Sequence, residues 1–513
     1  MDLPNNFKLL DCSLRDGGYY TNWDFEQDLI ECYQNNIKKL PFDYIEIGYR
    51  NLTQKKYRGS YFYTPTSILK KWSEANTDIV LMIDEINTPL NNVEELVNPC
   101  SGIVKMFRIA AKPNRIEEAL KIAKIIKKIG FKVCLNVMYL SEWDNYSNFF
   151  SKLNDIEQTI DYLYMADSYG SVLPHQIEST IHKIRSYTNV KLGFHGHNNL
   201  ELGLINALKA IENGVELIDC SISGMGRGAG NLKSELILTY LDSLNLRNVN
   251  FENLNTLVVK FESIRDHYNW GNNLAYMVSG ANSIAQKEVM NLINKRYYTI
   301  DNAIKYLGFK NFANPSENYP RLTSSKNKKI LIIGGGSSVI DHLNSLKLFI
   351  KQNPEILILF ASARFMKHFC EFKGYNILVG AEGKRLEENM GSNSFKNICI
   401  LPSKPNKIEP FVSENLSKFC VQLSNTIFSD ENCDSHLAVT LQACIELGGE
   451  ELYLIGFDGY STNNIQKREV FLMEENQLIF DFFKSKKPDV KILSLTPTVY
   501  REIEVSSLYT FLR

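Results

Sequence analysis

None of the ten cysteines stands in a CxxC spacing, and no run approaches the roughly 20 apolar residues of a membrane span. Neither sign of charge prevails: 57 Lys and Arg face 58 Asp and Glu, a net charge of −1. Such a balance gives no argument for nucleic acid or for insertion at an anionic membrane. The cysteines, at 12, 32, 100, 134, 220, 370, 399, 420, 433 and 444, are scattered and several lie in apolar runs. That pattern excludes a CxxC motif and fits buried thiols in a reducing compartment. The opening MDLPNNFKLLDC lacks the basic start and apolar stretch of a signal peptide, so a cytoplasmic location is expected. Histidine is sparse too, with eight in the chain.

What is present is 44% hydrophobic and 22% charged residues over 513 positions. That is a soluble globular composition, too long for one ordinary core, and two or three domains are expected. From residue 8 to about 245 short β-rich runs alternate with longer helical ones. The runs are KLLDCSL, DYIEIGY, DIVLMID, VKMFRIA, KVCLNVM, YLYMADS, VKLGFHGH and LIDCSIS. Between them, NRIEEALKIAKIIKKIG (114–130) and LELGLINALKAIENG (200–214) carry helical periodicity, the first stopping at Gly130. The alternation predicts parallel strands with helical crossovers, and eight units match an α/β (β/α)8 TIM barrel. A doubly wound open sheet is the competing fold.

A barrel collects its reactive groups at the carboxyl ends of its strands. Here Arg15 and Asp16 are expected to close strand one, Glu46 strand two and Asp84 strand three. Arg108 lies in strand four, Asn136 in strand five, Asp167 and Ser168 end strand six, and SGMGRGAGN (223–231) follows strand eight. His195 and His197 end strand seven, and no other histidine pair has their spacing. Residues two apart on a strand project to one face. With Asp16 across the mouth, two imidazoles and a carboxylate offer a divalent cation three ligands and leave positions open for substrate. Nitrogen and oxygen donors without thiolate suit Mn²⁺ or Mg²⁺, with Co²⁺ or Zn²⁺ also compatible. Asn231 is either a fourth ligand or a group behind the ligands.

Three ordered motifs, DCSLRDGG, GFHGHNNLELGLINAL and GMGRGAGN, resemble the HMG-CoA-lyase-like superfamily of metal-dependent barrels. HGHNNL and MADSYGS are most similar to its 4-hydroxy-2-oxovalerate aldolase branch. The resemblance implies that Asp16, His195 and His197 bind the metal and that Arg15 sits by the enolate oxygen of the substrate. It also implies that Ser168, beside Asp167, helps seat the carboxylate of a 2-oxo acid and that Glu46 orients Arg15. Where that branch has a histidine after RDG, this chain has Tyr19 and Tyr20, so the aldehyde partner is expected to differ from acetaldehyde. Arg50, in EIGYRN, stands either near the mouth, holding a carboxylate or phosphate, or in solvent. Tyr268 or Tyr276 is a further candidate to reach the site.

Residues 1–249 are thus read as the barrel, 250–315 as a helical extension, 316–329 as a linker and 330–513 as a Rossmann-like α/β domain. The last begins ILIIGGGSS, an apolar strand and a glycine turn whose bare amides suit phosphate; a tight structural turn is the alternative. It resembles domains of motility-associated sugar transferases and sialyltransferase-like folds, which implies a nucleotide or nucleotide-sugar near Gly334, Gly335, Gly336, Ser337, Ser338 and Asp458. The functional expectation is a metal-dependent aldolase joining a pyruvate-type 2-oxo acid to an aldehyde, by analogy a sugar of bacterial surface polysaccharide. The alternatives are a Claisen-type acyl-CoA condensing enzyme and a non-catalytic nucleotide-binding scaffold. The sequence leaves a homo-oligomer open.

Overall fold

Eight parallel strands close into a barrel in the computed structural model, each followed by helical or turn structure. The structure describes residues 3–73, 77–294, 300, 303–304, 319–324, 328–390, 395–404, 409–429, 432–460 and 467–512. The chain divides into two compact units, Met1–Met290 and Asn291–Arg513. Residues 305–318 and 325–327, where the expected extension passes into the linker, lie outside the described residues.

In the first unit the strands are β1 (Lys8–Asp11), β2 (Tyr44–Tyr49), β3 (Asp78–Asp84) and β4 (Val104–Ala111). They continue with β5 (Lys132–Val137), β6 (Tyr162–Asp167), β7 (Lys191–Gly196) and β8 (Leu217–Cys220), and β8 pairs back onto β1. The expected helices appear at Ile116–Ile129, ended by Gly130 in the left-handed region (φ 108°), and at Gly203–Glu212. A large apolar sheath fills the space between strands and helices. A smaller cluster of Leu10, Cys12, Tyr44, Val80, Met106, Cys134, Tyr162, Tyr164 and Leu217 forms a separate core.

The site is built on that smaller core by strand alternation. Side chains two apart share a face, so above Tyr44 comes Glu46, above Met106 Arg108, above Cys134 Asn136, and above Leu217 Asp219. An apolar plug therefore carries a polar layer, one step nearer the carboxyl ends of the strands. On β7 the same step runs from Gly193 to His195. A Cβ on Gly193 would lie 2.2 Å from the Tyr164 ring, so glycine is what lets that ring occupy the barrel.

Strand one is shorter than expected. The carboxylate of Asp11 accepts the Ser13 amide at 3.0 Å, and the chain leaves the sheet to begin helix α1 (Ser13–Thr21). Arg15 and Asp16 thus stand in the first turn of a helix rather than at a strand end. The two glycines behind them are contact glycines: a Cβ on Gly18 would lie 2.1 Å from the Trp23 indole, whose Nε1 donates to the Arg15 carbonyl at 2.8 Å.

The second unit holds an eight-stranded parallel sheet. Its strands are β9 (Lys329–Ile333), β10 (Leu357–Phe360), β11 (Tyr375–Ile377), β12 (Ile398–Leu401), β13 (Cys420–Gln422), β14 (Glu451–Ile455), β15 (Lys491–Ser494) and β16 (Glu504–Val505). The spatial order is β13-β12-β11-β10-β9-β14-β15-β16. Strands β11, β13 and β16 have three, three and two residues, too few for a period to register in the sequence. No disulfide joins the cysteines, seven of which are buried. Among the described residues no helix is long and apolar enough to cross a membrane.

Candidate active site

Asp16, His195 and His197 converge: one ligand atom from each lies within 4.8 Å of the others, and all three residues are buried. His195 Nε2 stands 3.8 Å from Asp16 Oδ2. His197 Nδ1 faces the Gly230 carbonyl at 3.3 Å, and His197 itself bridges to Asn231. Burial, and then the neighbouring His195, push His197 down to about 3, so its ring is neutral and its lone pair available. Burial works against the Asp16 charge, yet Arg15 and the two histidines hold its carboxyl well below the usual range. Asn231 Nδ2 donates to Asp16 Oδ2 at 2.7 Å, while its Oδ1 is buried without a hydrogen-bond partner. A carboxylate, two imidazoles, one of them held neutral, and an orphaned amide oxygen form a donor set that fits a divalent cation.

Arg15 is held from both sides. Its Nη1 donates to Asp16 Oδ1 at 2.5 Å and its Nε to Glu46 Oε2 at 2.7 Å, which commits two of its nitrogens to carboxylates. Glu46 Oε2 also accepts from Arg108 Nη1 at 3.1 Å. Arg108 Nη2 reaches Asn136 Oδ1 at 3.0 Å and Asp219 Oδ2 at 2.8 Å, and its guanidinium lies 4.0 Å over the Tyr164 ring. Asp219 then takes His195 Nδ1 at 2.8 Å and the Tyr164 hydroxyl at 2.6 Å. Arg108 keeps Asp219 ionised against its burial, at about 2. The chain of contacts closes on itself: Asp16, Arg15, Glu46, Arg108, Asp219, His195 and back to Asp16.

Asp219 and Tyr164 escaped the sequence reading. The available signal was Asp219 as the lone acid within LIDCSIS, on the inward face shared with Leu217. Asp219 matters because a carboxylate on Nδ1 fixes the imidazole with Nε2 toward Asp16. Cys12, His195 and Asp219 also lie close enough to form a second ligand group, but burial keeps the Cys12 thiol protonated and its Sγ hydrogen-bonds the Cys220 carbonyl.

The other expected residues divide. Ser168 is buried after β6, its Oγ accepting the Tyr139 amide at 3.0 Å. Asp167 shapes the next turn through the Ser171 and Val172 amides, and burial pushes its carboxyl up to about 6. Tyr19 meets Tyr49 hydroxyl to hydroxyl at 3.2 Å. Tyr20 donates to the Gly228 carbonyl at 3.2 Å and hydrogen-bonds Tyr276, from helix Leu274–Ala281. Burial first, then Tyr276, pushes the Tyr20 phenol well above its ordinary value. Asp84 bonds Asn87 at the end of β3 and stays outside the ring. Arg50 gives its Nε and Nη1 to the carbonyls of Leu96, Tyr63 and Thr64. Three carbonyl acceptors fix it as a loop staple.

The glycine loop of the second unit is also filled from within. Asp458 accepts the Ser338 amide at 2.9 Å and its hydroxyl at 2.5 Å, and a Cβ on Gly336 would lie 2.4 Å from the Asp458 carboxylate. The helix that follows, Ser338–Asp341, has four residues. At Gly334–Ser338, where the sequence left a phosphate site or a tight turn open, the Asp458 carboxylate binds the Ser338 amide and hydroxyl, as a tight turn requires.

The HMGL-like family model matches residues 6–260. A 4-hydroxy-2-oxovalerate aldolase of Bacillus cereus is 26% identical over 250 residues, spanning 47% of this chain and 71% of that protein. An oxaloacetate decarboxylase of Mycobacterium tuberculosis is 25% identical over 243 residues, 45% of this chain and 69% of that one. Among solved structures, the N-terminal domain of a putative aldolase from Bacteroides vulgatus is 46% identical, with a TM-score of 0.56. It covers 59% of this chain and is itself covered completely. The barrel, the ordered motifs and this close structural relative together establish that the chain belongs to the HMGL-like family.

Proposed function

We propose that the barrel is a divalent-metal-dependent aldolase acting on a pyruvate-type 2-oxo acid and an aldehyde. One observation carries this reading: Asp16, His195 and His197 converge within 4.8 Å beside a guanidinium fixed by two carboxylates. The names of the aldolase relatives support it. A cation held by Asp16, His195 and His197, with Asn231 Oδ1 as a further donor, supplies Lewis-acid polarisation of a keto oxygen, and Mn²⁺ or Mg²⁺ suits these donors best.

In the condensing direction a proton leaves C3 of the 2-oxo acid and that electron pair spreads onto its keto oxygen. The pair then forms the new bond to the aldehyde carbon, whose oxygen takes up a proton; cleavage reverses each step. Arg15 supplies a preorganised donor where the negative charge develops, because Asp16 and Glu46 hold its fork before substrate arrives. Ser168 offers a hydroxyl for the oxo-acid carboxylate. Tyr20 stays protonated at neutral pH and gives its proton to the Gly228 carbonyl, so it is not the base.

The test is exchange of the pyruvate methyl protons in D₂O with added Mn²⁺. Exchange without any CoA ester is expected, together with its loss, and loss of bound Mn²⁺ by elemental analysis, in Asp16→Ala. Exchange that requires acetyl-CoA would instead support the Claisen reading, and full metal retention in Asp16→Ala would overturn the site.

A further inference from the structure

The charged side chains of the ring each meet an opposite charge within 3.1 Å or closer; Arg227 does not. It stands in the loop after β8, between Gly226 and Gly228, and its guanidinium lies 4.9 Å over the Tyr19 ring. Its Nε is buried without a hydrogen-bond partner, and among the described residues no carboxylate pairs with it. Its field reaches Tyr19, Asp16, Tyr49, Tyr139 and His197, which puts it on the metal-binding side of the barrel mouth. The nearby acid, Asp16, has both oxygens taken, Oδ1 by Arg15 and Oδ2 by Asn231.

Arg227 is half-buried, and a guanidinium whose Nε is enclosed without a partner ordinarily finds a counter-charge for the rest of its fork. The wall beside it is aromatic: Tyr19 packs edge-on to Trp23 with centroids at 4.9 Å, and Trp23 to Tyr49 at 5.5 Å. Rings and two facing phenols offer it no anion. The part of the fork that stays exposed is thus open to a charge that a ligand brings. Ser168, which follows β6 and receives the Tyr139 amide, is left for the carboxylate of the 2-oxo acid.

We infer that Arg227 binds an oxyanion, carboxylate or phosphate, carried by the aldehyde partner, so that this aldolase selects acidic aldehydes. The inference rests on the aldolase reading and adds the chemical class of the second substrate. The planar fork matches either oxyanion in a two-point contact, while the Tyr19 ring beneath it holds the guanidinium plane in place.

The full chain, loaded with Mn²⁺ and pyruvate, is assayed with three aldehydes of similar length: succinic semialdehyde, glyceraldehyde 3-phosphate and neutral butanal. Wild type is expected to favour an anionic aldehyde over butanal by roughly 30-fold or more in kcat/KM, the gain of a charged hydrogen-bonded contact. Whichever anion gives the larger ratio identifies its source. Arg227→Met is expected to bring that ratio close to one, mainly through KM, and Arg227→Lys to restore part of it because the charge remains without the fork. An equal ratio in wild type and Arg227→Met overturns the inference, as does a wild type indifferent to charge. Methyl-proton exchange by the wild type without aldehyde separates the two readings. If exchange proceeds and charge preference is absent, only the role of Arg227 fails; if exchange itself fails, the aldolase reading falls.

Discussion

Replacing Arg108 with methionine tests whether the closed ring beneath the ligands holds the site together. Arg108 is fully buried and binds Glu46, Asn136 and Asp219 at 3.1, 3.0 and 2.8 Å. Methionine keeps much of the stem's apolar volume but leaves both carboxylates without their shared cation. Removing one partner of a buried pair costs about 3–5 kcal/mol. Glu46 retains Arg15 and Asp219 retains His195 and Tyr164, so the lower end, about 3 kcal/mol, is expected. At about 2–4 °C per kcal/mol for a domain of this size, the barrel's transition falls by roughly 6–12 °C. Urea and thermal unfolding of the full chain, metal-free, read this directly. With its carboxylate no longer anchored, Asp219 orients His195 less well, and Mn²⁺ affinity by calorimetry drops about 10–100-fold. Adding Glu46→Gln to Arg108→Met removes one stranded carboxylate, so the two changes couple by about 1–3 kcal/mol in the favourable direction. A stability loss below about 1 kcal/mol, or strictly additive substitutions, would refute the ring as a single unit.

Arg15→Lys is expected to keep stoichiometric metal by elemental analysis while kcat falls about 10²–10³-fold, since a point charge cannot bind Asp16, Glu46 and a developing oxyanion together. Metal loss in that variant would mean that Arg15 supports Asp16 more than the reaction. In the second unit, Glu382 is buried, accepts the Ala363 amide at 2.7 Å and pairs with Arg385 at 2.6 Å. Burial opposes its charge, but His436, the Ala363 amide and Arg385 lower it from 4.5 to about 2. An acid depressed on folding stabilises above its unfolded pKa and loses that contribution as pH falls toward the folded value. Wild type should therefore exceed Glu382→Gln by roughly 3 kcal/mol above pH 4.5, the gap closing between about pH 4.5 and 2 in urea titrations. A gap independent of pH would rule out the charge as its origin.

The barrel was legible because its strands are short and apolar and most are separated by helices, a pattern that period and length alone resolve. The candidate ligands were legible for a different reason: His195 and His197 share a strand face, and ordered motifs brought Asp16 to them. Asp219 was not, because nothing in LIDCSIS says that its partners are Arg108 from β4 and His195 from β7. Register between distant strands supplies that information, and one sequence does not carry it. Arg50 was open to two readings for the converse reason. An arginine after a strand suggests a ligand or solvent, and the fold adds three backbone carbonyls from later residues that take its Nε and Nη1. The glycine run at Gly334 likewise suggested an anion site, and Asp458, 120 residues away from Ser338, supplied the anion from within the chain.

The adjacency of Arg15 and Asp16 has its physical reason in the helix that carries them. Both charges must face one small volume, and a strand would send neighbouring side chains to opposite faces. The early exit after Asp11 places them in a helical turn, where consecutive residues lie about 100° apart and both can reach the mouth. That turn must then fit beneath Trp23, and Gly18 is what permits it: a Cβ there would strike the indole ring at 2.1 Å. The indole in turn donates to the Arg15 carbonyl, locking the turn that sets the guanidinium. The glycines of RDGG are thus part of the charge placement. Arg15 gains its fixed fork from Asp16 and Glu46 only because the helix beneath it has no side chain to keep Trp23 away.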